Sequence, residues 1–192
     1  MSVSNTNSDF AGDPDNRKST SSYVLMLAGG TITWHARKQP FVAFSMLKAV
    51  YIGTSNTVKE TIWVCSLYAR ILYGKILYKH TEQYSHCLYS DKDSKATEPQ
   101  QIFINNQGVI QLAKNPKLHQ HTKYSSVHFH FVHDACQRND IKTTYLPTSD
   151  ILVNIMTKNL PQDTYWKHAY GLGLVSQNSG EVVDRPCVKW WK

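Results

Sequence analysis

The sequence predicts an α/β fold built on a mixed sheet, and three features carry that expectation. The first part of the chain is rich in strand formers, a long stretch at helical spacing follows it, and the rest alternates short strands with short helices. Residues 22–28 (Ser-Tyr-Val-Leu-Met-Leu-Ala) read as a strand that stops at Gly29-Gly30, a turn signal. Thr31 to Trp34 resumes with β-branched and aromatic residues, so residues 22–35 form an expected antiparallel hairpin. A weaker strand over residues 3–10 precedes it, joined through the turn-rich Gly12-Asp13-Pro14-Asp15-Asn16.

From Ser45 to about Leu72 the apolar residues Leu47, Val50, Tyr51, Val58, Ile62, Cys65, Ala69 and Leu72 recur at helical spacing. Ser45 is the expected N-cap. A glutamate three positions on would complete a capping box, but Lys48 stands there and its charge opposes the helix dipole. A broken local rule of this kind asks for a reason.

Residues 73–99 show no clean period and read as a long irregular loop. Gln101 to Ile104 is a short strand, followed by the turn-like Asn105-Asn106-Gln107-Gly108 and a helix through Ala113. Residues 122–138 are compatible with a helix crowded with histidine and aromatic side chains. Ile141 to Leu146 is a strand ended by Pro147, Thr148 caps a helix reaching about Lys158, and Pro161 opens a last helix near residues 165–170. The expected organisation is one domain over residues 1–174 and a loosely structured tail over residues 175–192, despite Trp190-Trp191.

Composition fits this picture. At 192 residues, with 41% apolar and 18% charged, the chain is ample for one buried core and unlike a disordered one. Four scattered cysteines (Cys65, Cys87, Cys136, Cys187) without a Cys-x-x-Cys pair read as free thiols. Neither an apolar run of transmembrane length nor a signal peptide is visible, so the expected location is intracellular, cytoplasmic or nuclear, with no membrane partner. Twenty-one Lys and Arg against 14 Asp and Glu give +7, which suits a polyanion such as nucleic acid.

Residues 9–21 (Asp-Phe-Ala-Gly-Asp-Pro-Asp-Asn-Arg-Lys-Ser-Thr-Ser) resemble the opening D-A-D-W-A-G-D-P-D-D-R-K-S-T-S of copia-type retrotransposon ribonuclease H domains. The matches continue in order. Trp34, Lys38-Gln39-Pro40 and Val42-Ala43-Phe44-Ser45 resemble W-x-S-K-K-Q-P-x-V-A-L-S. Asn106-Gln107-Gly108, residues 112–116 (Leu-Ala-Lys-Asn-Pro), His119 and Thr122-Lys123 follow, then Pro147-Thr148, Thr157-Lys158, Leu160-Pro161 and residues 171–174. The resemblance runs from about residue 3 to 174, leaving out the segment 73–99 and the tail. It implies a ribonuclease H-like fold, a five-stranded mixed sheet flanked by helices, and a role in reverse transcription, degrading the RNA of an RNA–DNA hybrid. The reverse transcriptase that precedes this domain in the family is absent here, which reads as a piece of a longer polyprotein.

The family reaction uses magnesium, a hard cation held by carboxylates, to activate water and stabilise the leaving oxygen. Carried over by motif, the family's four carboxylate positions fall on Asn7 (D-A-D), Lys48 (S-T-E-A-E-Y), Asn105 (C-D-N-Q-G) and Asn154 (L-A-D-I-L-T-K). None is a carboxylate, so the expectation is an inactive domain that binds no metal and needs no cofactor. The misfit at Lys48 then marks a former ligand position. Asp to Asn and Glu to Lys each follow from one guanine-to-adenine change, and His121, His128 and His133 stand where the family often has arginine, a change of the same direction. That pattern reads as a decayed transposon copy; selection for a metal-free binding role is the rival cause.

Other readings compete for the same residues. Asp9, Asp13 and Asp150 lie near the lost positions, and Asp9 would share a strand face with Asn7, leaving a weakly active nuclease as an alternative. His119, His121, His128, His130, His133 and Cys136 invite a zinc site, although the ordered spacing of zinc modules is missing and ordinary surface or packing histidines are the simpler account. Arg17, Lys18, Lys38, Lys114, Lys117 and Lys123 are candidate phosphate contacts to a hybrid or duplex, with a solvated basic face as the plain alternative. The remaining alternative is a fragment with no biochemical role.

Overall fold

A computed structural model of the chain describes residues 2–73, 98–115 and 126–174. Five strands form one sheet, β1 (Ser2–Ser8), β2 (Thr20–Leu27), β3 (Gly30–Lys38), β4 (Gln100–Ile104) and β5 (Ile141–Tyr145), in the order β3-β2-β1-β4-β5. The β1–β2–β3 meander is antiparallel, and β4 and β5 add in parallel to β1. Helices α1 (Met46–Tyr73), α2 (Gln107–Lys114), α3 (Ser126–Gln137) and α4 (Gln162–Gly171), with a 3-10 helix at Leu152–Met156, complete it. The five-stranded mixed sheet flanked by helices is the expected fold.

Each element has a local cause. The hairpin turns at Ala28 and Gly29, both at positive φ (51° and 81°), one residue earlier than the Gly29-Gly30 signal suggested, and Gly30 already belongs to β3. Two positive φ angles match the twist of the flanking strands, which is why glycine sits there. Ser45 caps α1 as expected, its Oγ accepting the Lys48 N–H at 3.2 Å. Asn106 caps α2 in the same way, accepting from Val109 at 3.2 Å.

The sheet is covered on both faces. On one, Val50, Tyr51 and Val58 of α1 pack with Ile102, Ile104 and Ile141 of the sheet and with Val109, Leu112, Phe129 and Val132 of α2 and α3. On the other, Val24 meets Ile151, Val153 and Leu172.

The α1–β1 contact is unlike these. Thr54, Thr57 and Thr61 are fully buried, and their hydroxyls donate to the carbonyls of Val50, Gly53 and Thr57 one turn back, at 2.8–2.9 Å. Satisfying the hydroxyl within the helix lets these residues leave water at little cost. Thr61 Oγ1 also lies 2.9 Å from Ser4 Oγ. At Gly53 a Cβ would come within 2.5 Å of Ser8 Oγ, so only glycine allows helix and strand so close.

Two expectations change. The residues after Pro147 do not form a helix capped by Thr148; they make a turn and then the 3-10 helix, whose N-cap position is Ile151. Thr148 is bonded to other residues instead. The histidine-rich helix begins at Ser126, and residues 122–125, residues 74–97 of the loop expected over 73–99, and the tail 175–192 lie outside the described residues. Among the described residues no helix is long and apolar enough to cross a membrane.

Candidate active site and nucleic-acid surface

Gly53 of α1 meets Ser8 and Thr61 meets Ser4, so α1 runs antiparallel to β1. Lys48, five residues before Gly53, therefore lies roughly 7.5 Å beyond the C-terminal end of β1, at 1.5 Å of rise per residue. Asn7 stands at that end of β1, and Asn105 follows Ile104, which is in register with Thr6. Topology thus brings Asn7, Lys48 and Asn105 to one end of the sheet.

The asparagines form one hydrogen-bonded chain. Asn7, 1% exposed, donates from Nδ2 to Asn154 Oδ1 at 2.6 Å, and Asn154 is itself 2% exposed. Asn7 Oδ1 accepts the Ser8 N–H at 2.8 Å. Asn154 Nδ2 donates to the Thr148 carbonyl, and Asn105 Nδ2 reaches Thr148 Oγ1 at 3.4 Å. Both oxygens of Thr148 are therefore bonded to the site. Sequence reasoning placed Thr148 at a helix terminus and missed this role; nothing short of the fold signals it.

Lys48 is half-buried, with its ammonium 5.2 Å from the centroid of the Phe44 ring, within cation–π range. It brings a positive charge to the end of the sheet where the three amides meet.

The neighbouring acids are committed elsewhere. The Asp9 carboxylate accepts the Thr20 N–H and lies hard against Gly12, so it braces the β1–β2 loop. Asp13, 6% exposed, pairs with Lys38 Nζ at 2.5 Å and accepts the Asp15 N–H at 3.1 Å. The Lys38 ammonium, with the Asp15 N–H, holds the Asp13 carboxyl below the usual carboxylate range, and Asp13 in turn raises Lys38. Asp150 pairs with Lys167 at 2.9 Å on the surface.

The six candidate phosphate contacts separate. Arg17 and Lys18 lie in the β1–β2 loop and Lys38 at the end of β3, all at the Asn7 end of the sheet, although Lys38 is ion-paired. Lys114 ends α2 at the opposite end, where it lines a cleft of about 390 Å³ with Pro99, Cys136, Ile141, Lys142 and Thr143. Lys117 and Lys123 lie outside the described residues, as do His119 and His121. The basic residues are therefore not one stripe.

The α3 histidines point apart. His133 is buried and its Nδ1 lies 3.0 Å from the Ala113 carbonyl, which can only accept, so that nitrogen carries the proton. His128 Nδ1 meets Ser55 Oγ at 2.9 Å, and His130 is exposed. Burial pushes the Cys136 thiol up, against the opposing pull of Lys114. Among the described residues no three His, Cys, Asp or Glu side chains are grouped to hold a metal ion.

No protein-family model matches the chain. It is 29% identical over 160 residues to the retrovirus-related Pol polyprotein from transposon TNT 1-94 of Nicotiana tabacum, covering 83% of this chain and 10% of that protein. To the corresponding polyprotein from transposon RE1 of Arabidopsis thaliana it is 27% identical over 169 residues, covering 88% and 10%. The chain thus spans about a tenth of the length of these curated relatives. Among solved structures it is similar to LC11-RNase H1 in complex with RNA/DNA hybrid (TM-score 0.46, 8% identity, 79% of this chain and 88% of that one). It is also similar to the N-terminal RNase H domain of rv2228c from Mycobacterium tuberculosis (TM-score 0.48, 7% identity, 88% and 95%). Over most of its length the chain is similar to the Pol polyproteins of plant transposons, at 27–29% identity, and its described residues form a five-stranded mixed sheet with four α-helices.

Proposed function

We propose that this is a catalytically silent retrotransposon ribonuclease H-like domain that binds RNA–DNA hybrid without cutting it. The observation that carries the reading is the closed chain Asn7–Asn154–Thr148–Asn105. Magnesium requires several oxygen donors, preferably anionic. The oxygens here are neutral, and those of Asn7 and Asn154 already accept hydrogen bonds. Lys48 adds a cation at the same end. At about 4 Å and an effective dielectric near 20, a unit-charge contact is of order 4 kcal/mol, so replacing anions by amides and an ammonium removes most of the attraction for the ion. These residues do not fit the metal, and no cleavage step follows from them.

Support for binding comes from charge. Arg17 and Lys18 stand at the Asn7 end of the sheet in a chain of net charge +7. The hybrid as ligand is carried over from the resemblance to copia-type ribonuclease H domains.

Purified chain incubated with labelled RNA–DNA hybrid and magnesium, then manganese, is expected to leave the RNA intact while retarding the hybrid in a gel. Joint replacement Asn7→Asp, Lys48→Glu, Asn105→Asp and Asn154→Asp is expected to restore cleavage. Cleavage by the unaltered chain, abolished by chelator, would overturn the proposal.

A further inference from the structure

Phe44 is 86% exposed, the most exposed large apolar side chain among the described residues. Slack in the chain is not the cause. Gln39, only 3% exposed, donates its backbone N–H to the Ser19 carbonyl at 2.7 Å. Its Nε2 donates to Ser21 Oγ at 2.6 Å and to the Ala49 carbonyl at 2.9 Å, tying the segment to both β2 and α1. Ala43 is buried, and Ser45 is fixed as the α1 cap. Phe44 thus projects from a braced segment whose Phe41, Val42 and Met46 are also exposed.

Burial would ordinarily claim a phenyl ring, since it loses favourable transfer free energy in water. An exposed ring on a braced backbone, with an ammonium 5.2 Å from its centroid, offers two things to a nucleotide. The ring gives a face on which a base stacks, and the cation attracts the phosphate that the base carries. Bases inside a closed duplex already stack on their neighbours and must be pulled out before a side chain can reach their faces. The occupant is therefore a strand with unpaired bases. The copia-type motif V-A-L-S has leucine where this chain has Phe44, and leucine has no π face, so the property belongs to this chain rather than to the motif.

We infer that Phe44 and Lys48 form a stacking platform for an unpaired nucleobase, so that the domain grips single-stranded nucleic acid or the unpaired end of a hybrid in preference to a closed duplex. The inference rests on the nucleic-acid reading proposed above.

Its test is fluorescence anisotropy with three labelled oligonucleotides of equal length: a blunt RNA–DNA hybrid, a thymidine single strand, and that strand with abasic sites. The base-bearing strand is expected to bind roughly 5- to 150-fold more tightly than the abasic one, the range that stacking of one base supports. Phe44→Ala and Phe44→Leu are expected to erase that preference with the melting temperature unchanged, and Phe44→Trp to keep it. Equal affinity for base-bearing and abasic strands would overturn the inference; if the blunt hybrid still bound, the proposed function would stand. No binding of any of the three would overturn both.

Discussion

Asn7 and Asn154 are separated by 147 residues in sequence, yet their side chains meet at 2.6 Å in a site where each is at most 2% exposed. One amide donates and the other accepts, so the contact is neutral and self-satisfied. Two carboxylates in the same places would both be acceptors and both charged, a pair that cannot persist dry without a cation or a shared proton.

That contrast gives the first prediction. The double variant Asn7→Asp, Asn154→Asp should be less stable than the natural chain by about 2–4 kcal/mol in chelator at neutral pH, because buried like charges replace a hydrogen bond. Magnesium should recover part of the loss, since only the folded carboxylate pair offers it a site. Thermal melts with and without magnesium read both effects. A double variant that melts like the natural chain in chelator would mean that the site is more open to water than the structure has it.

The Asp13–Lys38 pair predicts a pH dependence. Lys38, and then the Asp15 N–H, lower the Asp13 pKa from 3.8, so the folded chain holds this proton less readily than the unfolded one. The contribution is complete above the unfolded value and is lost as pH falls through the folded one. Asp13→Asn should therefore destabilise the chain at neutral pH, with a penalty that shrinks as pH falls through the folded Asp13 value. Urea unfolding at several pH values decides it; a penalty that persists unchanged in acid would assign Asp13 a role through packing alone.

His168 loses stability in the same direction of pH but for a different cause. Its ring is fully buried on α4, and among the described residues neither nitrogen has a hydrogen-bond partner. Burial lowers its pKa from 6.5, the Lys167 ammonium adds to the effect, and Asp150 opposes it. As pH falls through the unfolded value, the unfolded chain takes up a proton that the folded chain refuses. Stability should fall there by at most about 1.4 kcal/mol per pH unit from this one group. His168→Phe should flatten the profile between pH 7 and the folded value. An unchanged slope would move the acid sensitivity to another group.

Much of the fold was legible because it is written in local pattern. Strand formers broken by Gly29 gave the hairpin, helical spacing and Ser45 gave α1, and Pro161 opened α4. The buried face of α1 that carries Thr54, Thr57 and Thr61 was not legible, because threonine reads as a solvent-facing residue. Its hydroxyl is satisfied by the carbonyl one turn back, and that bond exists only once the helix does.

By itself the sequence determined the order of elements, the resemblance to copia-type ribonuclease H domains, and the absence of a carboxylate at four motif positions. Tertiary structure alone decided what those positions do together. It joined Asn7, Asn154 and Asn105 through Thr148, and it put Lys114 at the far end of the sheet from Arg17 and Lys18. It also paired Lys38 with Asp13 and held Phe44 in solvent beside Lys48. The reason is physical: hydrophobic period reports which face of an element is buried. Contacts between residues far apart in the chain depend on how the elements cross, and periodicity carries no information about that.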